Sequence, residues 1–121
     1  LIEMYNSRSP VPLKTGEDIC NKYLNHDVLA QDIIHQWCKN IILGLSIIIM
    51  LYNPEIICIG GGISEEKWFI EKIQEIYKNE THIISDPIIT TKIKACKYNN
   101  NSNLLGALLY AKKKLATSNN N

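Results

Sequence analysis

An α/β fold, with helices around a small parallel sheet, is predicted by three features of this 121-residue chain. A long helical stripe of apolar residues runs from Val28 to Leu45. A short β-branched run then closes on three consecutive glycines. A further helical stripe leads on to a strand of alternating character, completing one strand–helix–strand unit.

Residues 1–13 contain Pro10 and Pro12 and predict an irregular segment or one short turn of helix. Thr15 followed by Asp18 forms an N-cap pair, starting a short helix through Ile19, Cys20, Tyr23 and Leu24. Asn25, His26 and Asp27 break it, and Asp27 caps the next helix. That second helix sets Val28, Ile33, Ile34, Trp37, Cys38, Ile41 and Leu45 on one stripe, opposite Gln31, Asp32, His35, Gln36 and Lys39. From Ile41 onward it is apolar almost all round, so its second half needs covering on several sides. Asn53-Pro54 stops it.

Residues 55–59, Glu-Ile-Ile-Cys-Ile, predict a strand buried on both faces of a parallel sheet. Gly60, Gly61 and Gly62 end it, and Ser64 is placed to cap a helix through Trp68, Ile70, Ile73, Ile76 and Tyr77. Asp86-Pro87 marks a turn. Residues 90–96 alternate, with Lys92 and Lys94 facing away from Thr91, Ile93 and Ala95, as in a half-exposed strand guarded by lysine. A last helix spans residues 104–115, with Lys112, Lys113 and Lys114 near its C-terminal dipole, and residues 117–121 read as a disordered tail. Residues 1–116 thus form one unit. Two strands make a poor sheet, which implies further strands beside them.

Composition narrows the function. With 45% hydrophobic and 21% charged residues the chain builds an ordinary core, and a net charge of +1 argues against nucleic-acid binding by this segment. The apolar run 41–51 falls short of the ~18 residues of a spanning helix, so a deeply buried helix and no membrane is the expectation. Cys20, Cys38, Cys58 and Cys96 are widely spaced, unlike zinc-ligand pairs, and predict buried reduced thiols in a cytoplasmic protein. The first residues have neither an initiator methionine nor a signal-peptide pattern, which reads as an internal start. His26, His35 and His82 form no cluster by spacing, and His35 reads as a surface residue.

The glycine block is the most informative chemistry. Three glycines at the C-terminal end of a buried strand stand where α/β sheets bind ligands, and they let a flat group approach the backbone. The pattern matches neither standard phosphate cradle. Glu65 and Glu66, expected in the first turn of the next helix, would repel a phosphate. A nucleotide bound here would therefore present its adenosine end. A plain strand-to-helix turn is the competing reading.

The run from Asn53 to Ser64 (Asn-Pro-Glu-Ile-Ile-Cys-Ile-Gly-Gly-Gly-Ile-Ser) resembles the signature near the C-terminus of the ROK family of repressors, open reading frames and kinases. Residues 1–7 are similar to the segment after that family's cysteine-rich zinc motif, and residues 95–108 to its closing strand and helix. The resemblance implies the C-terminal part of an actin-like (ribonuclease-H-like) ATPase fold. It implies ATP-dependent phosphorylation of a sugar hydroxyl, glucokinase-like, with magnesium. Glu3 would bind sugar hydroxyls, and Gly60, Gly61, Gly62 and Ile63 would line the adenosine side of the ATP site. Sugar and ATP are the partners of the complete protein, and a homo-oligomer is expected.

The chain departs from the family at several points. Leu1 stands where a zinc-ligand cysteine is expected, so no zinc ligands are expected here. Residues 99–103, Asn-Asn-Asn-Ser-Asn, replace the usual Gly-Asn-Asp-Ala-Gly. The family's phosphate-binding loop and catalytic aspartate are absent from these residues. No catalytic residue is therefore assigned, and the chain alone is predicted inactive. The alternatives are the sugar-sensing domain of a ROK-type repressor and a non-catalytic oligomerisation remnant.

Overall fold

The computed structural model of the chain describes residues 1–80, 89–98 and 101–118. Its elements are α1 (Ile2–Asn6), α2 (Gly16–Leu24), α3 (Val28–Tyr52), β1 (Ile56–Ile59), a 3-10 turn (Gly62–Glu65), α4 (Lys67–Glu80), β2 (Lys92–Ala95) and α5 (Ser102–Ser118). The expected turn at Asp86-Pro87 and His82 lie outside the described residues.

The helix starts follow from side-chain caps. Thr15 Oγ1 accepts the Asp18 N–H at 3.1 Å, and Asp27 Oδ1 accepts the Ala30 N–H at 2.9 Å. Each satisfies an N–H that the first turn leaves without a partner, worth ~1 kcal/mol. His26 turns the chain between α2 and α3 with a left-handed φ of 61°. At the other end of α3, Asn53 takes φ 42° and donates its N–H to the Ile49 carbonyl at 2.7 Å. A left-handed asparagine followed by Pro54 is a strong stop.

One core holds α1 to α4 and one face of the sheet together. Ile33, Ile34, Cys38, Ile42 and Ile49 of α3 pack with Phe69, Ile73 and Ile76 of α4, and Ile19, Tyr5 and Ile93 close the sides. The spacing of three to four residues predicted this stripe, but its edges are shifted. Val28 is 82% exposed, while Ile42, Ser46 and Ile49 face inward. Ser46 is tolerated there because its Oγ donates to the Ile42 carbonyl at 2.7 Å. By length and composition alone, α3 could cross a bilayer. Its first half instead packs on α2 and α4.

The two strands pair in parallel, Ile56 opposite Lys92 through Ile59 opposite Ala95. A buried Thr91 donates its hydroxyl to the Pro54 carbonyl, and Gln74 Nε2 donates to the Ile93 carbonyl at 2.8 Å, fastening β2 to both neighbours. Lys92 and Lys94 lie on the exposed face, as the alternation predicted.

Several expectations fail for one physical reason. β1 is not buried on both faces, since Ile56 is 48% exposed and Cys58 is exposed too. Only Cys38 is a fully buried thiol, with Cys20 and Cys96 half-buried. On the far half of α3, Ile47 is 57% and Met50 70% exposed. Nothing among the described residues covers these surfaces. α5 contributes no residue to the core, and Leu104, Leu108, Leu109 and Leu115 are exposed. It also runs past the expected end: Thr117 and Ser118 are helical, not tail, and Lys112–114 precede the last turn. Residues 119–121 lie outside the described residues.

Candidate functional site

The site is built where β1 runs out. Gly61 adopts φ 95° and ψ 171°, a conformation that side chains other than hydrogen rarely allow. The chain then makes a 3-10 turn, tied by Ser64, whose N–H and Oγ both donate to the Gly61 carbonyl at 3.1 and 2.6 Å. Ser64 therefore locks the glycine turn and does not cap the following helix. Glu65 closes the 3-10 turn, and Glu66 precedes α4 without occupying its first turn. The Glu66 carbonyl accepts the Phe69 N–H at 3.1 Å, and its side-chain Oε2 accepts the Trp68 indole N–H, also at 3.1 Å.

A cleft of ≈ 500 Å³ opens beside this turn. Gly62 and Ile63 form part of its wall, and Glu66 stands with them. Glu17 and Cys20 come from α2, Trp37 from α3, and Leu1 from the start of the chain. A Cβ added at Gly62 would meet open space, so nothing within the chain requires glycine there. Gly61 is required by its backbone, whereas Gly62 leaves the cleft wall open.

The electrostatics of the cleft are acidic. Among the described residues, no lysine or arginine lines it, whereas Glu17 and Glu66 do. Burial raises the pKa of the Cys20 thiol, and the negative charges of Glu66 and then Glu17 raise it further. Cys38, buried behind the cleft in the core, is pushed up to about 12, mainly by burial. Both thiols stay protonated at neutral pH and are poor nucleophiles.

Of the residues singled out from sequence, Gly62 and Ile63 reach the cleft and Gly60 and Gly61 do not line it. Glu3 sits exposed on α1, outside the cleft. Glu17, Cys20, Trp37 and Glu66 escaped that selection as binding residues, because they come from separate elements and share no motif. His35, expected at the surface, is half-buried with Nε2 3.3 Å from Glu80 Oε1, while Lys39 Nζ contacts Glu80 Oε2 at 2.8 Å. Smaller hollows lie beside Lys39 and Ser46 (≈ 270 Å³) and beside Tyr23 and Trp68 (≈ 340 Å³), and neither holds a candidate residue. Among the described residues, no group of three histidine, cysteine, aspartate or glutamate side chains could hold a metal ion.

Helices around a parallel strand pair, with a glycine turn at the strand's carboxyl end and a cleft beside it, make this an α/β unit with a candidate binding cleft. The family model described as "ROK family" matches residues 2–114, and the chain belongs to that family. It is 34% identical over 101 residues to a beta-glucoside kinase of Listeria innocua, covering 82% of this chain and 32% of that protein. A beta-glucoside kinase of Listeria monocytogenes is 32% identical, over 84% and 32% of the two chains. An uncharacterized protein of Clostridium perfringens is 30% identical, over 76% and 31%. The chain thus spans about a third of the length of these relatives.

Proposed function

We propose that this chain is the C-terminal, nucleotide-facing part of a ROK sugar kinase that transfers the terminal phosphoryl group of ATP to a hydroxyl of a hexose or β-glucoside. The observation that carries the reading is the cleft at Gly62 and Ile63, in a chain about a third identical to proteins named beta-glucoside kinase. The adenosine end of ATP enters this cleft, whose acidic lining leaves the phosphates pointing away from it. Glu3, exposed on α1, is free to accept hydroxyl donors from the sugar, two at once if they are adjacent.

The same chemistry sets what the 121 residues do alone. Phosphoryl transfer requires positive groups on the phosphates and a base at the attacking hydroxyl. These come from the remaining length that the relatives possess, within an actin-like architecture that the two-stranded sheet completes. The isolated chain is inactive. Its uncovered apolar surfaces pack against that remainder or against a second copy.

The test is direct. The whole polypeptide expressed from its gene, given ATP, magnesium and cellobiose or glucose, should release ADP and form a sugar phosphate visible by phosphorus NMR. Sugar-dependent ADP release at the buffer rate for hexoses and β-glucosides alike would refute the reading.

A further inference from the structure

The acidic lining of the cleft is unexplained by a glycine turn alone. Glu66 is oriented by the Trp68 indole, which itself packs on Tyr23 at 4.6 Å between ring centroids. One carboxylate oxygen is thus committed to the protein and Oε1 remains to meet a ligand. Glu17, exposed on α2, makes no ion pair among the described residues. Two carboxylates in one cleft with no lysine or arginine among the described residues lining it form a poor site for a phosphate. They form a good one for neutral hydroxyl donors, because an ionised carboxylate only accepts hydrogen bonds. The rest of the wall is of another kind. Trp37 and Ile63 are apolar, and Gly62 leaves its backbone open to close approach. The volume, ≈ 500 Å³, falls in the range of small-molecule pockets.

A vicinal diol joined to a flat, mostly apolar ring matches both halves of this lining. We infer that Glu66, held by Trp68, together with Glu17, accepts the ribose hydroxyls of the nucleotide, while Trp37 and Ile63 flank its base. This rests on the kinase reading and adds to it the residues that select a ribonucleotide. The diol of the sugar substrate is the other source of the same chemistry. The flat apolar wall favours the nucleoside.

Glu66→Gln in the whole polypeptide separates the two, since the amide can still accept from the indole. The Michaelis constant for ATP should rise about tenfold, the size of one lost charge-assisted hydrogen bond, with that for the sugar unchanged. The wild type should prefer ATP to 2′-deoxy-ATP, and the variant should lose most of that preference. Glu17→Gln should shift the ATP constant in the same direction. An unaltered preference for the ribonucleotide, or a shift confined to the sugar, would overturn the assignment. Should the wild type release no ADP, the kinase reading fails separately, and adenosine titrated against tryptophan emission still reads the cleft. A saturable change that Glu66→Gln weakens supports the assignment, and no saturable change overturns it.

Discussion

The two halves of α3, the first amphipathic and the second apolar almost all round, are opposite in fate. Ile33, Ile34 and Cys38 of the first half are sealed in the core shared with α2 and α4. In the second half, only Ile42, Ser46 and Ile49 are buried, while Leu43, Ile47, Ile48, Met50, Leu51 and Tyr52 face outward. The difference lies in how many sides of the helix need a neighbour. An amphipathic stripe finds its partner within the chain, whereas a helix apolar on all sides needs partners on all sides. The outer face of β1 and the whole of α5 belong with the uncovered half.

The sharpest way to break the comparison is to truncate one side chain in each half. Ile34→Ala should cost ~2–5 kcal/mol in urea unfolding, the usual loss for a sealed isoleucine. Ile47→Ala should cost almost nothing in the 121-residue chain yet be clearly destabilising in the whole polypeptide. An equal, negligible effect in both would mean that this face is never covered.

Replacing the uncovered surface by charge is the next test. Ile47→Lys with Met50→Lys should reduce the mass of the 121-residue chain seen by light scattering at micromolar concentration. A wild-type chain that is already monomeric would contradict self-association through this face. Asp27→Ala should lower stability by ~1 kcal/mol, because the first half of α3 starts from that cap.

The smallest effect concerns pH. The Lys39 hydrogen bond, aided by the charges of His35 and Lys39, holds the Glu80 carboxyl below its ordinary 4.5. A depressed folded pKa contributes stability that is present above 4.5 and is lost as pH falls below it. Glu80→Gln should therefore lower stability slightly at neutral pH, leave it unchanged in acid, and so flatten the acid limb. An unaltered acid limb would mean that the exposed pair contributes nothing.

Much of the scaffold could be read from local chemistry. Thr15, Asp27 and Asn53-Pro54 act within four residues, and the helix boundaries follow them closely. Lys92 and Lys94 faced outward as their alternation required. Ser64 misled because a serine after glycines caps a helix or ties a turn equally well, and only its bond to the Gly61 carbonyl decides. The exposure of Cys58 was hidden for a different reason. Its apolar neighbours in sequence say nothing of a missing layer in space. Likewise Asn6, whose amide exchanges two hydrogen bonds with the Leu13 backbone at 2.8 and 2.9 Å, secures the proline loop without any local signal. The cleft was half legible: Gly62 and Ile63 lie in one run, while Glu17, Trp37 and Glu66 meet only through the packing of α2, α3 and the turn before α4.

Gly62→Val in the whole polypeptide tests the central claim most directly. Its Cβ points into open space, so the fold has no reason to change, unlike a substitution at Gly61 with its φ of 95°. A branched side chain at the wall of the cleft should raise the Michaelis constant for ATP about tenfold or more, roughly 1.4 kcal/mol of binding, with the sugar constant and the thermal midpoint unchanged. An ATP constant equal to the wild type's would show that the glycines only turn the chain and that the nucleotide binds elsewhere.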